Sequence, residues 1–437
     1  MKIAFVAMSG IRVQDQALLN EGLTLPGFVE RSKVIASLPS LGLLTLAGMT
    51  PTEHEKEYFE VPEFVLGDLS FKSFDLVVIS TFTAQAFEAY ALAAECQEHG
   101  LRVVMGGLHV TSRPHEAKAH CDSVCMGEGE VYWEELLRDA QNDELKEFYD
   151  SSGREFDLSD APMPAYDLLD VQKYNRITIQ TSRGCPHSCE FCAGSIILTD
   201  KYKQKPASKI LAEIDRICEL WPRPFIEFAD DNSFVNKKFW ENLLPEIAKR
   251  KIRWFTEADI AVGDDVEFLC LLKASGCKEL LIGLESPVIA GLEGVELKNN
   301  WKARRLASYQ ENVLRIQQAG IRVNACFIIG MDSHDESIFD AVYNFSDECN
   351  VYDVQVTLPT PFPGTELYRR LKREGRLHED QAWDKCTLFD LMFEPKNFTR
   401  EELRLGFRNL VKRLYSKDFT DKRRANFNSL WKSAQSM

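Results

Sequence analysis

The chain lacks the features that would place it in a membrane or lead it into a secretory route. No apolar run approaches the ~20 residues that a membrane-spanning helix needs. Residues 1–6 lead directly into a strand-like segment that is too short and too soon polar for a secretory signal. We therefore expect a cytoplasmic protein. A disulfide framework is not expected there, so clustered cysteines among the twelve in the chain are candidate metal ligands.

An excess of positive charge is also missing. The 67 Asp and Glu residues outnumber the 52 Lys and Arg residues, which gives a net charge of -15. Because an acidic chain repels phosphate backbones, we expect no nucleic acid as substrate or partner. Residues 401–437 are the exception, with nine basic and four acidic residues. We interpret them as a solvated basic helix, with a docking surface for an acidic partner or a membrane as the alternative.

Residues 1–140 alternate between strand-like and helical patterns. The apolar runs that predict strands are residues 2–7, 57–61, 75–80, 102–105 and 123–126. Continuous apolar runs separated by helical stretches indicate a parallel sheet covered on both faces, in a Rossmann-like layout. Ligands of such sheets bind beyond the carboxyl ends of the strands. We therefore expect a binding edge in this first domain.

Residues 171–372 repeat the strand–helix pattern six times. The predicted strands are residues 177–180, 225–229, 253–257, 279–284, 322–329 and 353–358. Six such units predict an α/β fold with a partial (β/α)6 barrel. The loops at the carboxyl ends of these strands are expected to form the active face.

Two further segments complete the predicted organisation. Residues 141–170 are polar and lack a clear period, so we interpret them as a linker. Residues 373–437 are predicted to be a C-terminal helical extension. Within it, Thr399 and Glu402 fit a capping box at the start of a helix over residues 399–416.

One cysteine triplet carries the clearest chemical signal. Cys185, Cys189 and Cys192 follow the first predicted barrel strand with the spacing C-x3-C-x2-C. Three thiolates on a short loop can ligate three irons of a [4Fe–4S] cluster and leave the fourth iron open. A zinc site is the alternative, although it would usually want a fourth ligand nearby and a repeated C-x2-C pair. We interpret His187, inside this loop, as solvent-facing, and Cys326, in an apolar strand, as a core residue.

This motif, on the loop after the first strand of a barrel, resembles the radical SAM superfamily. The resemblance implies that S-adenosylmethionine (SAM) chelates the open iron and is cleaved to a 5′-deoxyadenosyl radical. It also implies an electron donor such as flavodoxin or ferredoxin. Phe191 matches the aromatic position that packs near the adenine in the family.

Polar residues and a glycine near the ends of the predicted barrel strands look like the family's other SAM contacts. The positions that the resemblance implies are Asp230, Asp231, Glu257, Glu285, Ser286 and Gly330. Each of them could instead cap a helix or solvate a loop. Residues 359–368 resemble the family's strand-six loop, which shapes the cavity.

The first domain resembles the cobalamin-binding domain that precedes many radical SAM barrels. Residues 80–81, 106–116 and 122–130 carry this resemblance. The cobalamin contacts that it implies are Ser80, Thr81, Gly106, Gly107, Gly127 and Glu128. The D-x-H-x-x-G motif, whose histidine ligates cobalt in other cobalamin proteins, is not found. A fold that had lost the cofactor would keep these glycines for its turns alone.

The combined resemblance predicts a cobalamin-dependent radical SAM enzyme that methylates an unactivated carbon on a small molecule. A cyclisation, an oxidation, a rearrangement or transfer of another SAM-derived group without methyl transfer is the first alternative. A tRNA methylthiotransferase would need a second cluster, and Cys96, Cys121 and Cys125 do not look like its ligands. An electron-transfer protein would need a closed fourth ligand.

Overall fold

The first of two large sheets is formed by six short, mostly apolar strands that all run parallel. A computed structural model describes residues 1–21, 38–67, 70, 72–194 and 201–435. The strands are β1 (Lys2–Met8), β2 (Glu55–Val61), β3 (Leu76–Ser80), β4 (Arg102–Gly106), β5 (Ser123–Met126) and β6 (Phe148–Asp150). Their order is β2-β1-β3-β4-β5-β6, so the connection reverses direction between β1 and β3. This reversal is the point at which doubly wound sheets bind ligands.

Both faces of this sheet are buried, as the continuous apolar strands predict. Val77 and Ile79 face one core, which includes the helix Ala86–Glu98. Leu76 and Val78 face the other core. The helices of this half are Gln16–Asn20, Leu41–Met49, Ala86–Glu98, Leu108–Ser112, Pro114–Lys118 and Trp133–Gln141. The Rossmann-like layout is confirmed.

The predicted linker contains structure that the sequence pattern does not reveal. Strand β6 lies inside residues 141–170 and pairs with β5 through Val124–Phe148, Cys125–Tyr149 and Met126–Asp150. The segment therefore contributes the edge strand of the first sheet. Three residues are too few to show a strand period, which is why the polar composition suggested a connector.

The second sheet contains the predicted barrel strands in chain order. They are β7 (Ile177–Ile179), β10 (Phe225–Phe228), β11 (Arg253–Ala258), β12 (Cys277–Glu285), β13 (Arg322–Ile328) and β14 (Asp353–Thr357). All neighbouring pairs are parallel and each strand pairs with the next. The helices around them are Ala207–Leu220, Lys237–Lys249, Val266–Ala274, Trp301–Arg305, Tyr309–Gln318, Ser337–Glu348 and Glu366–Arg373. The partial barrel is confirmed.

A small ribbon and two long helices complete the described chain. Strands β8 (Ser182–Arg183) and β9 (Lys203–Gln204) pair antiparallel beside the barrel. The C-terminal helices are Arg400–Tyr415 and Lys417–Gln435. The predicted capping box at Thr399 and Glu402 is present. Among the described residues, none of these helices combines the length and apolar character needed to cross a membrane.

The segment before the C-terminal helices packs against the first sheet. Trp383 is fully buried within the N-terminal core, and its Nε1 donates a hydrogen bond of 2.9 Å to Oε1 of Glu116. Its ring meets that of His109 edge to face at 5.4 Å. Trp383 therefore joins the C-terminal part of the chain to the N-terminal half.

Trp383→Ala should destabilise the protein by about 3–5 kcal/mol, because it leaves a large cavity in a fully buried contact. Denaturant unfolding followed by circular dichroism measures this. Leu405→Ala is the control, since Leu405 is 59% exposed and its truncation should change stability by less than about 0.5 kcal/mol. Equal unfolding midpoints for the two variants would show that Trp383 is not a structural contact.

Candidate active site

The three predicted cysteine ligands line one cavity of about 350 Å³ at the carboxyl ends of the barrel strands. Among the described residues, no group of three or more His, Cys, Asp or Glu converges closely enough to share one metal ion. Cys185, Cys189 and Cys192 thus share the wall of one cavity. In a cubane, three thiolates each ligate a different iron.

Two carboxylates, the buried Asp230 and the exposed Asp231, hold the start of the cysteine loop. Asp230 follows β10 and accepts hydrogen bonds from the backbone N–H groups of Thr181, at 2.7 Å, and Ser182, at 2.9 Å. Burial raises the pKa of Asp230, and these N–H donors oppose the shift. The neighbouring Asp231 accepts from the N–H of Gly184, whose φ of +86° suits glycine. The second barrel strand thus fixes the backbone just before Cys185.

The far end of the loop is held in the same way. Glu296 accepts hydrogen bonds from the N–H groups of Ser188, at 3.1 Å, and Asn299, at 2.7 Å. Glu190 receives two bonds from the Arg370 guanidinium, at 3.0 and 2.9 Å, and its own N–H donates to the carbonyl of Val295. The loop is therefore fixed by partners that are distant in sequence.

Lys302 is a cavity residue that sequence reasoning missed. Its Nζ lies 2.7 Å from Oε1 of Glu285 and donates to the carbonyl of Gly283, also at 2.7 Å. Burial lowers the pKa of Lys302, but the charge and hydrogen bond of Glu285, together with the charges of Cys189 and Tyr309, outweigh it, so the pKa lies above the ordinary value. The lysine belongs to a short helix without a recognisable motif, and no signal in the sequence points to it.

Glu257 projects into the barrel and is exposed to the cavity. Its depth in the barrel raises its pKa to about 8, with further contributions from the negative charges of Glu227, Asp231, Asp230 and Glu285. At neutral pH the carboxyl group therefore carries a proton. It presents the cavity with a neutral group that can donate a hydrogen bond.

Two other predictions about this region are wrong. His187 was expected to face solvent, but its ring stacks on Trp301 at 5.3 Å and its Nε2 lies 3.8 Å from Oδ2 of Asp259. Cys326 was expected in the core, but it lines the cavity. Strand β13 places Cys326 on its lumen side, and a short apolar run cannot distinguish a barrel lumen from a core.

The predicted SAM positions separate into two groups. Those that line the cavity are Phe191, Asp231, Glu257 and Glu285. Asp230 lies behind the wall, where its carboxylate is occupied by the loop. Ser286 is fully buried beside Nε2 of His334, at 3.2 Å, and Gly330 lines an adjacent cavity of about 390 Å³.

His334 explains how the Gly330 turn is held. The backbone N–H groups of Gly330 and Met331 both donate to Nδ1 of His334, at 3.3 Å each. Burial lowers the pKa of His334 to about 4, so the ring is neutral. Nδ1 is then the acceptor and Nε2 carries the hydrogen that faces Ser286. Ser286 and Gly330 thus support the cavity wall.

Most of the predicted cobalamin positions meet at one edge of the first sheet. The N–H of Thr81, next to Ser80, donates to the carbonyl of Gly106 at 3.3 Å. At Gly107, with φ of +103°, an added Cβ would lie 2.8 Å from the Thr81 carbonyl oxygen. At Gly127 it would lie 2.2 Å from Oγ of Ser151. These close approaches and the positive φ angles explain why glycine occupies both positions.

Glu128 differs from the other predicted cobalamin positions. Its carboxylate is 7% exposed and pairs with Arg183, at 2.7 Å, and Lys203, at 2.6 Å, both from the barrel half. The structure thus gives Glu128 a contact between the two halves, and its contact with cobalamin stays a prediction.

Comparison with known proteins identifies both halves. The radical SAM superfamily profile matches residues 179–346, the B12 binding domain profile matches residues 33–137, and a domain of unknown function, DUF4070, matches residues 365–436. Bacteriochlorophyllide d C-12(1)-methyltransferase of Chlorobaculum tepidum is 31% identical over 352 residues, which cover 79% of this chain and 75% of that protein. Hopanoid C-2 methylase of Rhodopseudomonas palustris is 27% identical and covers 79% of this chain and 67% of that protein.

Solved structures support the fold. TsrM of Kitasatospora setae, a radical SAM methyltransferase with cobalamin and a [4Fe–4S] cluster bound, has a TM-score of 0.68 at 13% identity, covering 100% of this chain and 99% of that one. OxsB, a cobalamin-dependent radical enzyme, has a TM-score of 0.67 at 14% identity, covering 99% and 71%. With these matches and the 31% identical relative, the chain belongs to the radical SAM superfamily, in the class whose barrel follows a B12-binding domain.

Proposed function

We propose that this enzyme is a cobalamin-dependent methyltransferase that acts on an unactivated carbon of a small molecule. The observation that carries the proposal is the cavity shared by Cys185, Cys189 and Cys192, with carboxyl groups and one lysine on its other walls. The named activities of two relatives, a bacteriochlorophyllide methyltransferase and a hopanoid methylase, support the methyl transfer. A radical route needs no strong side-chain base.

The three cysteines are the proposed ligands of three irons of a [4Fe–4S] cluster. When bound, the cluster supplies the electron that cleaves SAM, and cobalamin carries the methyl group. Asp231, Glu285 and Phe191 line the cavity beside the thiols and are the proposed SAM contacts, together with Glu257. We infer that three other predicted SAM positions act indirectly, by supporting the wall of the cavity. They are Asp230, Ser286 and Gly330.

The first domain is proposed to hold cobalamin at its carboxyl edge. The groups that would face it are Ser80, Thr81, Gly106, Gly107 and Gly127, whereas Glu128 is assigned to the contact with the barrel. A reduced protein such as flavodoxin or ferredoxin is the proposed electron donor. Reductive cleavage of SAM consumes an electron, which this donor would supply to the cluster.

A second candidate function is a radical cyclisation or oxidation on the same architecture. The specific observation is a likeness to anaerobic magnesium-protoporphyrin IX monomethyl ester cyclase of Cereibacter sphaeroides, at 23% identity over 78% of this chain and 60% of that protein. A methylthiotransferase has less support, because Cys96 and Cys121, which would have to join a second cluster, are buried in the N-terminal core.

Replacing the cysteines tests the cluster assignment. In anaerobically reconstituted protein, Cys185→Ala, Cys189→Ala or Cys192→Ala should lower iron from about four per chain and abolish reductive formation of 5′-deoxyadenosine from SAM. Iron analysis and chromatography measure both. Cys270→Ala is the matched control, because Cys270 is an exposed cysteine outside the cavity. Full iron content in all three variants would contradict the assignment.

The products formed from SAM distinguish the two candidate functions without a known substrate. Methyl transfer by way of cobalamin consumes a SAM molecule for its methyl group, so reduced enzyme with hydroxocobalamin should form S-adenosylhomocysteine. Omission of the corrinoid should remove that product. If 5′-deoxyadenosine accumulates and S-adenosylhomocysteine never does, the cyclisation or oxidation candidate is favoured.

The raised pKa of Glu257 predicts a pH dependence of stability. The group has a pKa of about 8 in the folded chain and an ordinary value of 4.5, so between these values the folded state binds the proton that the unfolded state has released. The free energy of unfolding of the cofactor-free chain should therefore fall as pH rises through this window. Glu257→Gln should flatten the slope. Denaturant midpoints from pH 5 to pH 8 provide the measurement. If Glu257→Gln leaves the slope of the free energy of unfolding against pH unchanged, the raised pKa of Glu257 is contradicted.

A further inference from the structure

The ribbon whose first strand precedes Cys185 and whose second strand follows the cysteine loop places two cations side by side. Strands β8 and β9 pair antiparallel with Arg183 directly opposite Lys203. Like charges at such positions repel and destabilise a strand pair. The ribbon has only four residues and cannot offset that repulsion by packing a long face. Its register therefore depends on negative charges supplied from elsewhere.

These charges come from the B12-binding domain. The Arg183 guanidinium donates to Oε1 of Glu128, at 2.7 Å, and to Oε1 of Glu130, at 2.8 Å. Lys203 reaches the second carboxylate oxygen of Glu128 at 2.6 Å. Burial raises the pKa of Glu128, but Lys203 and Arg183 together lower it below its ordinary value. Two basic side chains thus meet two carboxyl groups across the contact between the two halves.

The geometry leaves this ion-pair cluster of Arg183, Lys203, Glu128 and Glu130 little freedom. The four side chains are between 6% and 15% exposed. The third donor of Arg183, its Nε, contacts Oε1 of Gln180 at 3.0 Å. Buried charged pairs are costly to break, because removal of one partner leaves an uncompensated charge. If the two glutamates move, Arg183 and Lys203 must therefore move with them, and the reverse also holds.

Both sides of the cluster end at a proposed cofactor site. The glutamates lie on the turn after β5, next to Gly127 at the edge proposed for cobalamin. Arg183 is two residues before Cys185, and the intervening Gly184 is held by Asp231 from a cavity wall. A single short path of charged contacts thus joins the two edges.

We propose that Arg183 is a positioning residue that couples occupancy of the B12-binding edge to the conformation of the cysteine loop. The inference rests on the proposed function, since it requires both cofactor sites. Corrinoid bound at the carboxyl edge of the first sheet favours one position of the turn that contains Glu128 and Glu130. Because the ion pairs connect this turn to Arg183, the strand before Cys185 moves with it. Coupling of this kind is reciprocal, so the presence of the [4Fe–4S] cluster must in turn alter the affinity for corrinoid.

The test is the Kd of hydroxocobalamin, measured by anaerobic equilibrium dialysis on the full chain with and without a reconstituted cluster. In the wild type the [4Fe–4S] cluster should lower the Kd of hydroxocobalamin by about fivefold or more. Arg183→Met should bring the ratio of the two Kd values to near one. A role confined to folding would weaken both values equally and leave the ratio unchanged. Arg183→Lys, which loses the fork that spans both glutamates, should give an intermediate ratio.

Two further variants keep the result interpretable. The quadruple variant Arg183→Met, Lys203→Met, Glu128→Gln, Glu130→Gln leaves none of the four charges of the cluster unpaired, so it should fold and also show a ratio near one. Arg250→Met is the matched control, because it removes a two-pronged pair with Asp215 on the outer helices of the barrel. It should keep the wild-type ratio.

The outcomes separate the two proposals. A wild type that binds both cofactors with a ratio near one, or an Arg183→Met variant that keeps the wild-type ratio, would overturn the inference and leave the proposed function standing. A wild type that holds no cluster would contradict the proposed function, and the inference would fall with it.

Discussion

The site depends on hydrogen bonds from the backbone of the cysteine loop to carboxylates of the barrel. A loop that presents three thiols to one cavity cannot be shaped by apolar packing, because its outward groups are polar. Asp230, Asp231 and Glu296 satisfy its N–H groups instead. Burying a carboxylate costs several kcal/mol unless donors surround it, so the buried Asp230 and Glu296 and their segments of the loop stabilise each other. The strand order of the barrel brings these partners together.

The same principle extends to the contact between the two halves. Glu128 and Glu130 compensate the charges of Arg183 and Lys203, which lie on a distant segment of the chain. Asp230 compensates the N–H groups of the cysteine loop in the same way. The segment around Trp383 adds an apolar contact on the N-terminal core. One contact is thus built on charge and lies close to the cysteines, while the other is built on burial. The charged contact is the better candidate for communication, because it joins the turn after β5 to the ribbon beside the cysteines.

The sequence predicts the fold well where the local alternation of strands and helices determines which strands pair in a sheet. Strand runs separated by helices specify both parallel sheets, and the cysteine spacing identifies the loop that follows β7. The features that it misses share one physical cause, since they depend on which side chains meet in space. Lys302 lies on a short helix, Cys326 faces a lumen that looks like a core in the sequence, and Glu128 turns towards the barrel. Strand β6 is too short to have a period. The assignments of individual SAM and cobalamin contacts stay predictions.

We propose above that three thiols hold a cubane whose fourth iron is left to SAM. Electron paramagnetic resonance of anaerobically reconstituted, dithionite-reduced protein tests this most directly, with spectra recorded before and after addition of SAM. We expect a reduced [4Fe–4S] signal whose g-values shift when SAM is added, because SAM occupies the open iron. A cluster signal that SAM leaves unchanged, or protein that binds zinc and forms no cluster, would contradict this assignment of the three thiols.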